Sequence, residues 1–290
     1  KWVYNMKKIR KCVIPVAGMG TRFLPATKAT PKEMLPIIDK PTLQYIVEEA
    51  TQSGIEEILF ITSPYKNSVL DHFDKSYELE SRLKESGKLD KLETVKNISS
   101  LAKFTYIRQG EPNGSGHAIN LARSFVGDEP FAVMFGDDLM KSDVPVLKQL
   151  IDVYEKYDCN VIGVQEVDPK LVYKYGIIEY ENNSEKIKNI IEKPSVEDAP
   201  SNHAGLGRYI VKPEIFDELD KLKRGIGNEY QFVDGMKALM KSQDFYACNF
   251  DGKYFDIGSQ IGYLKANIEF ALDREDLKKE VDAYIKTLKR

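Results

Sequence analysis

An α/β fold, in which helices flank a mostly parallel central sheet, is the fold class that this sequence predicts. Short apolar runs alternate with helical patterns through the first half of the 290 residues, as in parallel strands joined by crossover helices. A glycine-bearing loop follows the first apolar run. With 42% hydrophobic and 30% charged residues, the chain has the composition of an ordinary globular protein with one large core.

The elements of the first half follow from periodicity, taken in chain order. Apolar runs with β-branched residues predict strands, and apolar residues at helical spacing predict helices. The alternating segments are CVIPVA (12–17), TLQYIVEEATQSG (42–54), EILFITS (57–63), FTYIRQ (104–109), NLARSF (120–125), FAVMFGDD (131–138), VLKQLIDVYEKY (146–157) and NVIGVQEV (160–167). Residues 71–100 are highly charged with apolar residues at helical spacing, so they predict an excursion of helices.

The second half shifts to short strands separated by Gly, Pro and Asn. The predicted strands are YGIIEY (175–180), IKNIIEKP (187–194) and AGLGRYIV (204–211), and the predicted helices are EIFDELDKL (214–222), YQFVDGMKALM (230–240) and one or two charged helices over 261–290. No repeat or low-complexity linker marks a boundary, so residues 6–290 are predicted to form a single domain. Residues 1–5 precede Met6 and are predicted to derive from an expression vector.

Charge and cysteine content narrow the function classes. The net charge of −3 and the pI near 5.8 provide no basic field that would recruit a nucleic acid polymer or an anionic membrane. Cys12, Cys159 and Cys248 are widely spaced, odd in number and set in apolar runs, which predicts buried reduced thiols. The absence of a long apolar stretch and of a signal pattern predicts a cytoplasmic protein.

The loop after the first strand has the residues of a triphosphate-binding loop. It lies in the segment VIPVAGMGTRFLPATKATPKEMLP (13–36). Gly18 and Gly20 leave backbone N–H groups open to phosphate oxygens, and Arg22 and Lys32 can neutralise charge on pyrophosphate. The dinucleotide fingerprint GxGxxG fails at Phe23, and the chain contains no GxxxxGK[ST] motif. The loop therefore favours phosphoryl or nucleotidyl chemistry over an NAD-dependent dehydrogenase.

Further candidate residues follow other predicted strands. Gln109 ends FTYIRQ, and Asp137 and Asp138 follow FAVMF, so these side chains and the glycine loop are expected at one edge of the sheet. Successive residues of an extended segment point in opposite directions, so one aspartate is expected to face the site and the other to pack or meet solvent. A single carboxylate can hold Mg²⁺ together with substrate phosphates, and Asp256 in YFDIGS is a candidate second ligand. By itself, a pair of aspartates after a strand is more often a turn or a helix cap.

Six motifs in order resemble one known family. They are AGMGTRFLPATKATPKEMLPIIDKP near the start, YIRQGEPNGSGHA (106–118), FGDDL (135–139), KYGII (174–178), IIEKP (190–194) and NHAGLGRYIV (202–211). In these motifs the chain resembles the sugar-phosphate nucleotidyltransferases, and within them the bacterial UTP–glucose-1-phosphate uridylyltransferases, also called UDP-glucose pyrophosphorylases. The resemblance implies a Rossmann-like sheet of the nucleotide-diphospho-sugar transferase type. It also implies transfer of uridylyl from UTP to glucose 1-phosphate, with Mg²⁺ as cofactor and a homodimer or homotetramer as the assembly.

The resemblance also implies roles for individual residues. Those expected to act in catalysis are Arg22, Lys32, Asp137 and Lys193, with Asp137 and Asp256 as metal ligands. Those expected to bind nucleotide are Ala17, Gly18, Gly20, Thr21, Glu33, Gln109 and Gly114. Those expected to bind the sugar phosphate are Gly176, Glu192, Lys193 and Gly205. In this scheme residues of about 6–168 form the nucleotide-binding part, about 169–260 the sugar-binding part, and about 261–290 the C-terminal helices.

Two alternatives stay open from the sequence. A thymidylyl-, adenylyl- or cytidylyl-transferase acting on the same sugar phosphate would share the phosphate-handling residues, since base choice depends on few atoms. PKEMLP, RQGEPNGSGHA and KYGII look more like the uridylyl enzymes. A catalytically silent regulatory subunit would keep the fold alone, which the joint presence of the charged residues argues against.

Overall fold

The structure, a computed structural model, describes residues 6–182 and 184–288. The segment predicted to be vector-derived, residues 1–5, lies outside these ranges. The strands are β1 (Lys11–Pro15), β2 (Pro36–Ile37), β3 (Lys40–Pro41), β4 (Glu57–Thr62), β5 (Lys103–Arg108), β6 (Phe131–Met134), β7 (Asp138–Lys141), β8 (Asn160–Glu166), β9 (Gly176–Tyr180), β10 (Ile187–Glu192), β11 (His203–Val211), β12 (Phe245–Asn249) and β13 (Lys253–Asp256).

Eleven α-helices connect or cover these strands within the described ranges. They are α1 (Thr42–Gln52), α2 (Asn67–Phe73), α3 (Tyr77–Glu85), α4 (Leu89–Ser99), α5 (Ser115–Asn120), α6 (Arg123–Val126), α7 (Val146–Tyr157), α8 (Ile215–Leu219), α9 (Phe232–Leu239), α10 (Gln260–Asp273) and α11 (Lys278–Leu288). The 3-10 helices are Thr21–Phe23, Ala26–Lys28, Lys32–Met34, Pro169–Lys174 and Ile226–Asn228. The charged excursion is thus the helices α2 to α4, as predicted.

The central sheet has nine strands and confirms the predicted fold class. Strands β5, β4, β1 and β6 form its parallel half, in that spatial order. Strand β11 then runs antiparallel to β6, to β8 and to β9, and β10 closes that side beyond β9. Strand β12 pairs with β8 in parallel. The first half of the chain therefore supplies a Rossmann-like sheet, and the second half extends it with antiparallel strands.

Apolar strands make up the core because both faces of the sheet are covered. The central strand β1 buries Cys12, Val13 and Ile14 completely, and helices α1 and α7 turn their apolar faces towards one side of the sheet. Helices α5, α8 and α9 cover the opposite side. Cys12, Cys159 and Cys248 are buried and free, as the sequence predicts. Among the residues that the structure describes, no helix is both long and apolar enough to span a membrane.

The segment after β6 differs from its predicted form. The strand ends at Met134, Asp137 lies in a turn, and Asp138 begins the new strand β7, which pairs antiparallel with β13. FAVMFGDD is therefore a strand, a turn and the start of a hairpin-like ribbon. The predicted helix NLARSF is also interrupted, because α5 ends at Asn120 and α6 begins at Arg123. The division near residue 168 stays a prediction.

Candidate active site

A cavity of about 690 Å³ opens at the carboxyl ends of β1 and β6. Residues from the first loop, from the turn after β6 and from strands β9, β10, β11 and β13 line it. Seven predicted site residues are among the lining: Arg22, Asp137, Gly176, Glu192, Lys193, Gly205 and Asp256. The fold thus brings residues from six separate segments to one cleft. Open α/β sheets place their ligands at this edge.

The loop after β1 folds back over Lys32. Gly20 has a left-handed backbone (φ 64°), and a Cβ there would come within 3.2 Å of the Cβ of Lys32. The Thr27 hydroxyl donates to the Gly20 carbonyl at 2.7 Å and closes the turn. Gly18 is exposed and approaches the Lys32 ammonium, while Ala17 is buried beneath and Thr21 is exposed beside Arg22. Glycine is therefore needed at residue 20 for both conformation and space.

Lys32 and Asp137 form a direct ion pair at the edge of the cavity. The Lys32 ammonium donates to Oδ2 of Asp137. Burial acts to lower the pKa of Lys32, but the surrounding carboxylates, Asp137 first and then Glu33, raise it above its usual value. Lys32 is therefore a cation at neutral pH, and Asp137 holds it beside the cavity, although Lys32 is not among the lining residues.

Asp256 lies beside Asp137, although 119 residues separate them in sequence. Strand β13 pairs with β7 so that Asp256 is opposite Asp138, next to the turn that carries Asp137. A Cβ built on Gly258 would come within 3.0 Å of Asp256 Oδ1, 3.1 Å of Asp137 Oδ2 and 3.8 Å of Arg22 Nη1. Two carboxylates and a guanidinium therefore surround one point of the cavity wall.

These two carboxylates suit a hard cation. Magnesium takes oxygen ligands, commonly one or two carboxylates together with substrate phosphates. Among the described residues, no group of three or more His, Cys, Asp and Glu side chains is placed to hold a metal by itself. Asp137 and Asp256 therefore fit a metal that is completed by substrate, and a closed structural metal centre is not formed by the described part of the chain.

Asp138 is partly buried and lines the cavity next to Asp137. Its Oδ1 accepts a hydrogen bond of 2.7 Å from the Tyr254 hydroxyl. Burial first, and then the neighbouring Asp137, raise the pKa of Asp138 to about 7, although Tyr254 and Arg208 act to lower it. Both aspartates line the cavity, contrary to the expectation that only one would face the site. They differ in their partners, since Asp137 pairs with Lys32 and Asp138 accepts from Tyr254.

Strand β11 makes room for Asp138 through a bulge at Gly207. The residue has a left-handed backbone (φ 57°), and a Cβ there would lie 2.0 Å from Asp138 Oδ2. The pairing of β11 with β8 shifts register across this bulge. A side chain at residue 207 would therefore overlap the carboxylate of Asp138.

Gly207→Ala is expected to destabilise the protein by about 2 kcal/mol or more, because backbone strain and overpacking add. Gly87→Ala is the matched control. It has a similar φ of 68° but nothing within 4 Å of its Cβ, so it carries the backbone cost alone. Urea unfolding of the two variants measures the difference. If both variants lose the same stability, the Asp138 carboxylate moves aside at no energetic cost and the expected effect of the overlap is contradicted.

The predicted sugar-phosphate side of the cavity is formed by the ends of β9 and β10. Lys193 Nζ lies 3.3 Å from Glu192 Oε1, and the Lys193 N–H donates to the Tyr175 carbonyl at 2.9 Å. Lys193 has a left-handed backbone (φ 48°), which is costly for a lysine and fixes where its side chain leaves the strand. Burial raises the pKa of Glu192, and Lys193 opposes the shift.

Two glycines keep this side of the cavity open. A Cβ on Gly176 would come within 3.3 Å of Glu192 Oε2, and one on Gly205 would come within 3.2 Å of Ile162. Larger residues would therefore press on the carboxylate or on the core. The backbone at both positions is accessible from the cavity.

All seven residues predicted to bind nucleotide lie outside the cavity lining, and three of them are held by contacts within the protein. Gln109 is buried, and its amide donates to the Gly114 carbonyl at 3.3 Å and contacts His117 Nδ1 at 2.9 Å. Gly114 (φ 101°) packs so closely that a Cβ would lie 2.6 Å from the Tyr230 carbonyl oxygen. Glu33 is buried and forms an ion pair with Lys66. These contacts order the loops around the site, and direct nucleotide contact by the three residues stays a prediction.

Sequence reasoning assigned no role to several polar and aromatic lining residues. They are Ser115, Tyr173, Tyr209, Gln231, Tyr254 and Ser259. Aromatic residues in strands are normally core residues, so their type alone gives no warning. For Tyr254 the sequence did contain a signal. Tyr254 and Asp256 are two residues apart on a strand, so they share a face, and Asp256 was already a predicted site residue.

Comparison with known proteins places this geometry in a family. The family model described as "Nucleotidyl transferase" matches residues 11–272. A UTP--glucose-1-phosphate uridylyltransferase of Staphylococcus haemolyticus is 51% identical over 286 residues, covering 98% of this chain and 99% of that protein.

Solved structures show the same similarity. A UDP-glucose pyrophosphorylase complexed with UDP-glucose aligns with a TM-score of 0.84 at 44% identity, covering 92% of this chain and all of that one. The UTP-bound UGPase from Acinetobacter baumannii aligns with a TM-score of 0.88 at 36% identity, covering 97% of this chain and all of that one. Because the family model and these relatives span nearly the whole polypeptide, this chain belongs to the nucleotidyl transferase family.

Proposed function

We propose that this protein transfers uridylyl from UTP to α-D-glucose 1-phosphate and releases pyrophosphate, giving UDP-glucose. The observation that carries the proposal is the convergence of Arg22, Lys32, Asp137, Lys193 and Asp256 around one cleft at the carboxyl edge of the sheet. The relatives support it, since their names specify this activity and their structures hold UTP or UDP-glucose.

The chemistry suits the charges of the cleft. A phosphate oxygen of glucose 1-phosphate attacks the α-phosphorus of UTP, and the bond from that phosphorus to the bridging oxygen of the β-phosphate breaks. The electron pair leaves with pyrophosphate. The nucleophile is already ionised at neutral pH, so the reaction needs no general base. Catalysis then consists of positioning and charge neutralisation by preorganised groups.

Each charged residue has a place in this scheme. Arg22 and Lys32, on the loop after β1, neutralise charge on the triphosphate and on the departing pyrophosphate. Lys193 binds the phosphate of glucose 1-phosphate, and the neighbouring Glu192 accepts hydrogen bonds from sugar hydroxyls. Asp137 and Asp256 would hold Mg²⁺. When bound, that ion supplies Lewis-acid charge stabilisation and orients phosphate oxygens.

Release of pyrophosphate from a panel of nucleotides tests the proposal. With glucose 1-phosphate, UTP is expected to exceed dTTP by about 10-fold or more in kcat/KM, because the enzyme must distinguish the ribose hydroxyl and the base methyl group. EDTA is expected to abolish turnover, and added Mg²⁺ to restore it. Faster turnover with dTTP would favour the thymidylyl alternative. No turnover with any nucleotide would favour the silent regulatory subunit.

The assembly and the cellular location belong to the same proposal. A homodimer or homotetramer in the cytoplasm is expected from the family resemblance. Light scattering during gel filtration measures the mass of the assembly directly.

A further inference from the structure

A buried ion pair lies directly behind the phosphate loop. Lys66 Nζ is 2.7 Å from Glu33 Oε2, and these residues are only 6% and 1% exposed. Glu33 sits in the 3-10 helix Lys32–Met34, and Lys66 follows β4 at the start of α2. The pair therefore ties the loop that carries Lys32 to the end of a central strand.

The pair belongs to a row of alternating charges that reaches the cleft. Glu33 is next to Lys32 in the chain, and the Lys32 ammonium contacts Asp137. Glu33 also packs beneath the turn after β6, because a Cβ on Gly136 would lie 3.3 Å from Glu33 Cγ. The order is thus cation, anion, cation, anion from Lys66 to Asp137.

Stability alone is a weak reason for such a pair. Removing two charges from water costs more than their attraction usually returns, so buried pairs contribute little net stability. The geometry of this pair is nevertheless well defined, since within residues 6–182 and 184–288 each of the two side chains forms its ion pair with the other. Burial raises the pKa of Glu33 and lowers that of Lys66, and each partner opposes the other's shift.

Two hydrogen bonds fix the backbone of Lys66. Its N–H donates to the Ser63 carbonyl at 3.2 Å, and its own carbonyl accepts from the Val69 N–H at 3.1 Å. The backbone is thus held between β4 and α2, while the ammonium reaches across to the loop. We propose that Lys66 is a positioning residue that acts through Glu33 to hold Lys32 at the triphosphate site. The proposal rests on the proposed function for the identity of that ligand.

Matched variants separate positioning from folding. Lys66→Met or Glu33→Gln leaves one buried charge unpaired, so either single variant is expected to lose stability. The double variant Lys66→Met/Glu33→Gln leaves neither charge and is expected to recover much of it. Lys40→Met/Glu48→Gln is the control, because it removes a partly buried ion pair outside the cleft.

The readouts are kcat and KM for each substrate, urea unfolding, and calorimetric binding of magnesium pyrophosphate. The folded double variant is expected to lose about 10- to 100-fold in kcat/KM for UTP and to bind magnesium pyrophosphate more weakly, because Lys32 is misplaced. Its KM for glucose 1-phosphate should stay unchanged. Lys66→Arg is expected to restore part of the loss seen in Lys66→Met, and the control pair should behave as wild type.

Two outcomes would overturn the positioning role. One is wild-type kcat/KM for UTP in the double variant. The other is an equal rise in KM for UTP and for glucose 1-phosphate, which indicates general structural damage. If wild type turns over no nucleotide, the proposed function fails by itself. Pyrophosphate binding then still decides the role of Lys66, since unchanged binding in the double variant contradicts it.

Discussion

Asp137→Asn is expected to lower turnover about 1000-fold while the protein stays folded, an effect of the size seen when one preorganised electrostatic group is removed. The substitution keeps the shape of the side chain but removes the negative charge that faces Lys32 and adjoins Asp256. A neutral amide is a poor ligand for Mg²⁺ beside phosphates. It also frees the Lys32 ammonium from its partner, so charge placement around the α-phosphorus changes as well.

The measurement is pyrophosphate release at saturating UTP and glucose 1-phosphate, together with urea unfolding. Asp143→Asn is the matched control, because Asp143 is an exposed acid on the loop between β7 and α7 and does not line the cleft. It should keep wild-type turnover. Near-normal turnover by a folded Asp137→Asn protein would remove Asp137 from the proposed mechanism.

Arg208→Met is expected to lower the free energy of unfolding by about 3–5 kcal/mol, because it leaves a buried charge without its partner. Arg208 is fully buried and donates to both carboxylate oxygens of Glu49, at 3.0 and 2.7 Å. It also donates to the Asp138 carbonyl at 2.8 Å. The variant leaves Glu49 as an uncompensated charge between α1 and β11.

Urea unfolding measures this loss. The slope of the unfolding free energy against urea concentration should stay unchanged, so that the shift in midpoint reports stability. Arg123→Met is the control, since Arg123 pairs with Asp217 and Asp220 while 43% of its side chain is exposed. An exposed pair is worth about 1 kcal/mol or less, so the control should unfold near the wild-type midpoint. A loss in Arg208→Met no greater than in the control would contradict the structural role given to the buried pair.

The sequence predicted the order and type of most elements correctly. The alternation of apolar runs with helical patterns identified the parallel half of the sheet, and the charged segment 71–100 does fold as helices. It also indicated where candidate residues lie, because the carboxyl ends of parallel strands meet at one edge. Arg22, Asp137 and Asp256 do line one cavity, although their roles there stay predictions.

The turn after β6 and the loop after β5 were less predictable. FAVMFGDD looks like one strand in sequence, but β6 ends at Met134 and Asp138 begins β7. The partner of β7 is β13, which lies more than 100 residues further along the chain. The amide of Gln109, a predicted nucleotide-binding residue, donates to the Gly114 carbonyl and contacts His117 Nδ1, and the sequence indicated neither contact. Its contact with nucleotide stays a prediction. Local sequence patterns predict where a residue lies in a strand, helix or turn. The direction of its side chain depends on packing partners from elsewhere in the chain.

By itself, the sequence determined the fold class and the positions of the glycine loop and of the charged residues that are proposed to bind phosphate. These features depend on short-range periodicity and on residue types within a few positions of one another. The tertiary structure alone decided the pairings of Lys66 with Glu33 and of Arg208 with Glu49, which span 33 and 159 residues. A buried charge must find a partner wherever the fold provides one, and no local pattern records which partner that is.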